Sequence, residues 1–150
     1  MKIKYSQQPK KEDKAVKAMA RDLDISFKDA VNICSHLKGM KVPDAINLLE
    51  AVAKLDKTIP YPRFSTGIGH RKGTHQEKIS KYPKKASLKI KGMLENIQGN
   101  ADYKGLDTER LKITHIQALE GVSRVRRRPK GRWRVWQRQF VNVQAIAEEK

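Results

Sequence analysis

The sequence predicts an α+β fold: three helices packed on a small antiparallel sheet, with a long protruding basic β-hairpin. Two observations carry this prediction. Three segments repeat apolar residues at helical spacing, and each has a recognisable helix start. Two later segments are rich in β-branched and aromatic residues, alternate in polarity, and flank a turn sequence.

Length, charge and cysteine content limit the kind of protein. We expect 1–150 to form one domain with a modest core. The formal net charge of +17 opposes compaction of the chain. Such a charge usually indicates an anionic partner, namely nucleic acid, an anionic membrane or an acidic protein. Cys34 alone cannot form an internal disulfide, and we see neither a secretory signal nor a run of about 18 apolar residues. We therefore expect a cytoplasmic protein that does not insert into membranes.

The N-terminal part of the chain predicts a flexible lead-in followed by a strand. Residues 1–13 are polar and mixed in charge, which is typical of a flexible segment. Residues 14–25 alternate in part, with Ala15, Lys17 and Met19 on one side. This pattern favours a strand over a frayed helix.

Three helices follow from apolar spacing and from end signals. The first has Ser26 as N-cap, Asp29 three residues later as in a capping box, and Gly39 as its stop. The second and third open at Pro43 and Pro83, since proline is tolerated at the start of a helix. The apolar stripes comprise Phe27, Ala30, Val31, Cys34 and Leu37; then Ala45, Ile46, Leu48, Leu49, Val52, Ala53 and Leu55; then Ala86, Ile90, Met93, Leu94, Ile97 and Ala101.

Residues 56–82, between the second and third helices, show no periodicity. They contain IPYPRF and TGIGHRKGT. A loop of this length within a domain is usually functional or ordered by a partner. We therefore predict a basic inserted loop.

The predicted hairpin spans about residues 111–146. Its arms contain LKITHIQALEGV and WRVWQRQFVNVQAIA, and Pro129 and Gly131 provide the turn of a tip near 124–132. At about 3.3 Å per residue, arms of about 15 residues reach some 50 Å from root to tip. The root alternates well enough to join a sheet, whereas the outer part is too charged to pack on the protein's own core.

The outer hairpin has the composition of a nucleic-acid-binding segment. Between Ser123 and Phe140 there are eight cations, seven of them arginine, and no carboxylate. Arginine suits phosphate and stacks on bases, and an interleaved tryptophan can stack on an unpaired base. For Trp136, packing at the hairpin root is an equally good interpretation. Since a long hairpin probes crevices rather than a regular groove, the pattern favours folded RNA over duplex DNA.

The predicted RNA-binding residues are basic or aromatic and come from the loop, the third helix and the hairpin. They are Arg63, His70, Arg71, Lys72, Lys84, Lys85, Lys89, Arg124, Arg126, Arg127, Arg128, Lys130, Arg132, Trp133, Arg134 and Arg138.

No catalytic, metal or cofactor site is predicted. GIGHRKGT fails as a phosphate-binding loop because Lys72 precedes Gly73 and no strand leads into it. Cys34 and four scattered histidines lack zinc-ligand spacing, and Cys34 is better read as a small buried residue. Two alternatives stay open: a free-standing RNA-processing or RNA-modifying enzyme using His70 or His75, and a chromatin-type DNA binder.

Five short segments of the sequence together resemble the universal large-subunit ribosomal protein family numbered twenty-two, or seventeen in the older eukaryotic naming. They are SFKDA, GMKVPDAINLLEAV, YPKKAS, MLENIQGNADYKG and RRPKGR, and the resemblance covers about Lys14 to Ile146. The GIGH word within the loop 56–82 resembles the archaeal and eukaryotic branch.

The resemblance implies a non-enzymatic constituent of the large ribosomal subunit that supports assembly and translation. It implies a domain near the peptide exit and a hairpin that lines part of the exit tunnel. The implied partners are several domains of ribosomal RNA, neighbouring ribosomal proteins and the nascent polypeptide passing the tip, with no homo-oligomer. The tip departs from the family pattern, since Arg128–Arg132 is two residues shorter than usual and Trp133 stands where a small residue is common.

Overall fold

The computed structural model describes residues 5–9, 11–69, 79–128, 130–131 and 133–149. The elements are β1 (Ala15–Leu23), α1 (Phe27–Leu37), α2 (Val42–Ala53), β2 (Ile59–Pro60), β3 (Ser80–Lys81), α3 (Lys84–Lys104), a 3-10 turn (Thr108–Arg110), β4 (Leu111–Arg127) and β5 (Val135–Glu149). The predicted α+β fold, with three helices and a small antiparallel sheet, is confirmed. The segment 14–25 is a strand, as the alternation predicts.

The main sheet has the order β1-β5-β4, with β5 in the centre. Both neighbours run antiparallel to β5. The pairing of β1 with β5 ends at Leu23↔Val141, whereas that of β4 with β5 continues to Arg127↔Val135. The sheet therefore has three strands at its base, and the hairpin of β4 and β5 continues beyond it as a two-stranded ladder.

The core lies between the helices and one face of this sheet. Every second residue of β5 at the base, including Val143 and Ala145, is fully buried. Fully buried side chains of the helices, such as Ile33 in α1, Leu49 in α2 and Leu94 in α3, belong to the same apolar cluster. The helical stripes predicted from the sequence therefore face the sheet.

Helix ends follow the predicted signals with small shifts. Ser26 caps α1 by accepting from the Asp29 amide at 3.4 Å. The Asp29 carboxylate accepts from the Tyr61 hydroxyl at 2.9 Å, a tertiary bond that a capping-box sequence does not predict. Pro43 is the second residue of α2, and Pro83 precedes α3 as its N-cap, so these two helices begin one residue away from the predicted starts.

The neck of the loop 56–82 contains a short β-ladder that the sequence does not predict. Strands β2 and β3 pair through Ile59↔Lys81 and Pro60↔Ser80, and Tyr61 is 2 % exposed. Burial of Ile59 and Tyr61 stabilises this ladder, but two-residue strands are too short to show a periodic pattern. Residues 70–78 of the loop lie outside the described residues.

Two bulges mark where the hairpin leaves the sheet. The register of β1 shifts between Ala20 and Leu23, and that of β4 shifts between Glu120 and Ser123. The Asn142 side chain, in β5 between them, accepts from the Asp22 amide at 2.7 Å. On the other side, a Cβ at Gly121 would lie 3.0 Å from the Phe140 carbonyl oxygen. Bulges bend and twist a strand. The bulges in β1 and β4, which lie on either side of β5, therefore determine the direction in which the hairpin leaves the sheet.

Residues 5–9 of the predicted flexible lead-in lie against the sheet face that the helices leave open. The Ser6 amide donates to Oε1 of the buried Gln144 at 3.1 Å, and the Ser6 hydroxyl donates to Gln117 Oε1 at 2.7 Å. The same hydroxyl lies 2.9 Å from Nε2 of His115, a strand residue as the sequence predicts. These contacts show that part of the segment 1–13 packs on the domain.

Candidate nucleic-acid interface

The hairpin ends in a tight turn. The Arg128 amide donates to the Arg134 carbonyl at 3.1 Å, and Lys130 and Gly131 both have positive φ, 67° and 66°. Left-handed φ values at two successive residues help the chain to reverse direction between the two antiparallel strands. Gly131 adopts this conformation without strain, which explains the glycine at the turn. Pro129, also predicted at the turn, lies outside the described residues.

Strand register divides the outer hairpin into two faces, because side chains of cross-strand partners point the same way. Arg124 pairs with Arg138, and Arg126 pairs with Trp136. We call these four residues, with Phe140, the arginine face. The valine face lies opposite and comprises Val125, Arg127, Val135 and Gln137.

Guanidinium groups stack on aromatic rings along the hairpin. The Cζ atom of Arg126 lies 4.1 Å from the centroid of the Trp136 ring, and that of Arg124 lies 5.4 Å from the Phe140 ring. On the other face, Arg127 lies 5.6 Å from the ring of Trp133, which is 93 % exposed. Such stacking holds arginine side chains extended while their N–H groups stay free for an oxyanion.

The described cations of the hairpin have no carboxylate partner, with one exception. Arg124, Arg126 and Arg127 are exposed and have no carboxylate partner among the described residues. Lys130 and Arg134 are exposed as well. The exception is Arg138, which pairs with Asp24. Repulsion among the unpaired charges is a cost to the folded protein that a bound polyanion would relieve.

Asp24 is the centre of an ion triad. Its carboxylate accepts from Arg138 Nε at 3.0 Å and from the Arg138 terminal nitrogen Nη2, and it accepts from Lys85 Nζ at 2.6 Å. These hydrogen bonds, Arg138 first and Lys85 second, lower the pKa of Asp24 to about 2. Two of the residues predicted to bind RNA are therefore also held by the protein's own carboxylate.

The remaining predicted residues lie on the body or outside the described ranges. Arg63 is exposed. Its backbone is held by the buried Asn32, whose side-chain amide donates to the Arg63 carbonyl at 3.0 Å. Lys84 and Lys89 are exposed on α3, and Lys84 lines a cleft between the hairpin root and the start of that helix. The predicted residues outside the described ranges are His70, Arg71, Lys72 and Arg132.

Three residues of the site were not predicted. Phe140 supports Arg124, Asn32 holds the loop backbone at Arg63, and Asp24 binds two of the cations. Their contacts join positions far apart in the chain, 31 residues for Asn32 and 114 for Asp24. No local sequence signal marks such contacts.

The described part of the chain offers little for other chemistry. Cys34 is buried, as predicted, and burial raises the pKa of its thiol to about 12. Among the described residues no group of three or more His, Cys, Asp or Glu side chains could hold a metal ion. Within the same ranges, no helix combines the length and apolarity needed to cross a membrane.

The fold and the hairpin define a basic α+β protein that presents an arginine-rich β-hairpin to solvent. The family model described as "Ribosomal protein L22p/L17e" matches residues 18–148. The chain belongs to this family and is a structural protein of the large ribosomal subunit. The predicted family is thereby confirmed.

Archaeal relatives match over nearly the whole chain. The large ribosomal subunit protein uL22 of Archaeoglobus fulgidus is 38 % identical over 148 residues, covering 97 % of this chain and 96 % of that protein. The uL22 protein of Methanocaldococcus jannaschii is 38 % identical over 150 residues, or 99 % and 96 % of the two chains. That of Haloarcula marismortui is 35 % identical over 139 residues, or 91 % and 90 %.

Proposed function

We propose that this protein is built into the large ribosomal subunit and binds ribosomal RNA mainly through its hairpin. One observation carries the proposal: beyond the three-stranded part of the sheet, the described part of the hairpin is a ladder of exposed arginines, of which Arg138 alone has a carboxylate partner. A protein that folds such a segment into defined strands is suited to a partner that supplies the negative charge.

Phosphates are the best chemical match for these cations. The guanidinium fork binds two oxyanion oxygens at once, and rings such as those of Trp133 and Trp136 can stack on unpaired bases. If all eight cations between Ser123 and Phe140 meet phosphates, the slope of log K against log salt is about −6 to −7. Arg63, Lys84, Lys89 and the basic part of the loop would add contacts from the body.

Within the subunit, we propose that the domain sits at the surface near the peptide exit and that the hairpin lines part of the exit tunnel. The support is the family membership and the length of the hairpin, since its two-stranded part, ten residues from Val141 to Gly131, can reach about 33 Å into packed RNA. Neighbouring ribosomal proteins and the nascent polypeptide would then be its protein contacts, and its location would be cytoplasmic. In this role the protein supports subunit assembly and translation.

Competition binding separates this function from chromatin-type DNA binding. A fragment of large-subunit ribosomal RNA that contains loops and bulges should displace a labelled RNA at about a tenfold lower concentration than duplex DNA of equal length and salt. The reason is that stacking and crevice contacts require unpaired bases, whereas a regular duplex offers phosphates alone. Equal competition by the duplex would contradict the proposal and favour a general polyanion binder.

A further inference from the structure

Three separate segments of the chain converge on the carboxylate of Asp24. Asp24 lies in the connection between β1 and α1, Lys85 in the first turn of α3, and Arg138 in β5. Arg138 donates through both Nε and Nη2, and Lys85 donates at 2.6 Å. A two-point contact from a planar guanidinium fixes direction as well as distance, which a single lysine contact does not.

The triad lies where the hairpin has just left the three-stranded sheet. β1 pairs with β5 as far as Val141, whereas Arg138 lies three residues further out, opposite Arg124. Beyond Val141, within the described residues, the backbone of β5 pairs with β4 alone. Asp24 therefore ties the first part of the two-stranded ladder to the helical body.

This position gives the contact a large effect on the tip. Gly131 is seven residues from Arg138, which corresponds to about 23 Å along the strand at about 3.3 Å per residue. A swing of about 10° at the triad would thus move the turn by about 4 Å. A hairpin that must enter a narrow passage in folded RNA benefits from a fixed starting direction, since less freedom is then lost on binding.

The triad also offsets a local repulsion. Arg124 and Arg138 are direct cross-strand partners on the arginine face, and like charges directly opposite one another destabilise a strand pair. The guanidinium group of Arg124 stacks on Phe140. That of Arg138 is hydrogen-bonded to Asp24, so the two cations interact with different groups. The pair can then stay in register without a bound anion.

We infer that Asp24 is a positioning residue that fixes the direction of the hairpin on the body through Arg138 and Lys85. The role serves RNA binding only if the proposed function holds. Its test contains no RNA, so that the two proposals can fail separately.

The test measures the distance between spin labels on the hairpin and on the body of the free protein. Labels are attached at Val135→Cys and Tyr103→Cys, which are 71 % and 93 % exposed in the native chain. Cys34 does not compete for the label because it is buried and the pKa of its thiol is about 12. In Asp24→Asn the distance distribution should broaden by about 2 Å or more, because Val135 lies three residues, or about 10 Å, from Arg138 and a swing of about 10° moves it by about 2 Å.

Asp56→Asn is the matched control, since it makes the same charge change at an exposed position in the connection after α2. It should leave the distribution as narrow as in the parent protein. Equal widths for Asp24→Asn and Asp56→Asn would overturn the inference. Both variants should unfold at the temperature of the parent within a few degrees, because a positioning contact at the surface adds little to global stability.

A variant of the partner residue keeps the test decisive if Asp24→Asn folds poorly. Arg138→Gln removes the same contact from the hairpin side, so it should broaden the distribution as much as Asp24→Asn does. The double variant should add nothing further, because both changes abolish one interaction. Arg128→Gln, which makes the same charge change near the tip, should have no effect. Broadening by Arg128→Gln equal to that of Arg138→Gln would also overturn the inference.

Discussion

Ribosomal RNA is expected to bind about 10²-fold more weakly when the three arginines at the outer end of β4 and the arginine that follows it are replaced by glutamine. These are Arg124, Arg126, Arg127 and Arg128, all exposed. Each lost phosphate contact reduces the slope of log K against log salt by about 0.7 to 0.9, so the slope should fall by about 3 in magnitude. Titration of a large-subunit RNA fragment at several salt concentrations measures both quantities.

A second fourfold variant controls for net charge. Lys38, Lys41, Lys54 and Lys57 are exposed residues of the connections that follow α1 and α2, and their replacement by glutamine removes the same total charge. Since these lysines lie outside the hairpin, their loss should weaken binding far less. If both variants lose the same affinity and the same salt slope, the hairpin is no more important than any other basic surface, and the proposed interface is wrong.

Leu94→Ala is expected to lower the free energy of unfolding by about 3 kcal/mol. Leu94 is fully buried in α3, within the cluster between the helices and the sheet. Truncation removes buried apolar surface and leaves a cavity that close-packed neighbours fill only in part. Urea denaturation measures the loss, with the slope of the transition unchanged if the variant alters stability alone.

Leu88→Ala makes the same chemical change in the same helix. Leu88 is 49 % exposed, so its truncation should cost less than about 1 kcal/mol. Equal losses for the two variants would mean that the face of α3 bearing Leu94 does not pack on the sheet.

The elements that the sequence predicts well are those with local causes. Ser26 begins α1 through its own side chain, and Gly39, two residues after the end of α1, has the positive φ that glycine adopts most readily. Strand alternation and a turn sequence likewise placed β4 and β5. These signals lie within a few residues of the feature that they specify, so one sequence suffices to read them.

The features that could not be predicted depend on contacts between distant residues. The β2–β3 ladder forms because Ile59 and Tyr61 are buried, and the segment at Ser6 packs because Gln144 and Gln117 meet it. Neither arrangement leaves a periodic pattern in the sequence.

The same limit applies to the candidate site. The composition between Ser123 and Phe140 indicates an anionic partner, but the pairing of Arg126 with Trp136 depends on the register set by a bulge. The sequence left two interpretations open for Trp136, stacking on an unpaired base or packing at the hairpin root. In the structure Trp136 lies beneath the Arg126 guanidinium and is 37 % exposed, which is intermediate between the two. The anchoring of Arg138 by Asp24 spans 114 residues and is visible only in three dimensions.

Sedimentation of the tagged protein from lysates of cells that produce it tests the central claim most directly. If the protein is a built-in constituent of the large ribosomal subunit, it should co-migrate with that subunit in a density gradient at moderate salt. It should remain there at high salt, because a hairpin enclosed by folded RNA dissociates slowly, although salt weakens each of its phosphate contacts. Recovery at the top of the gradient as free protein, at both salt concentrations, would contradict a structural role in the subunit.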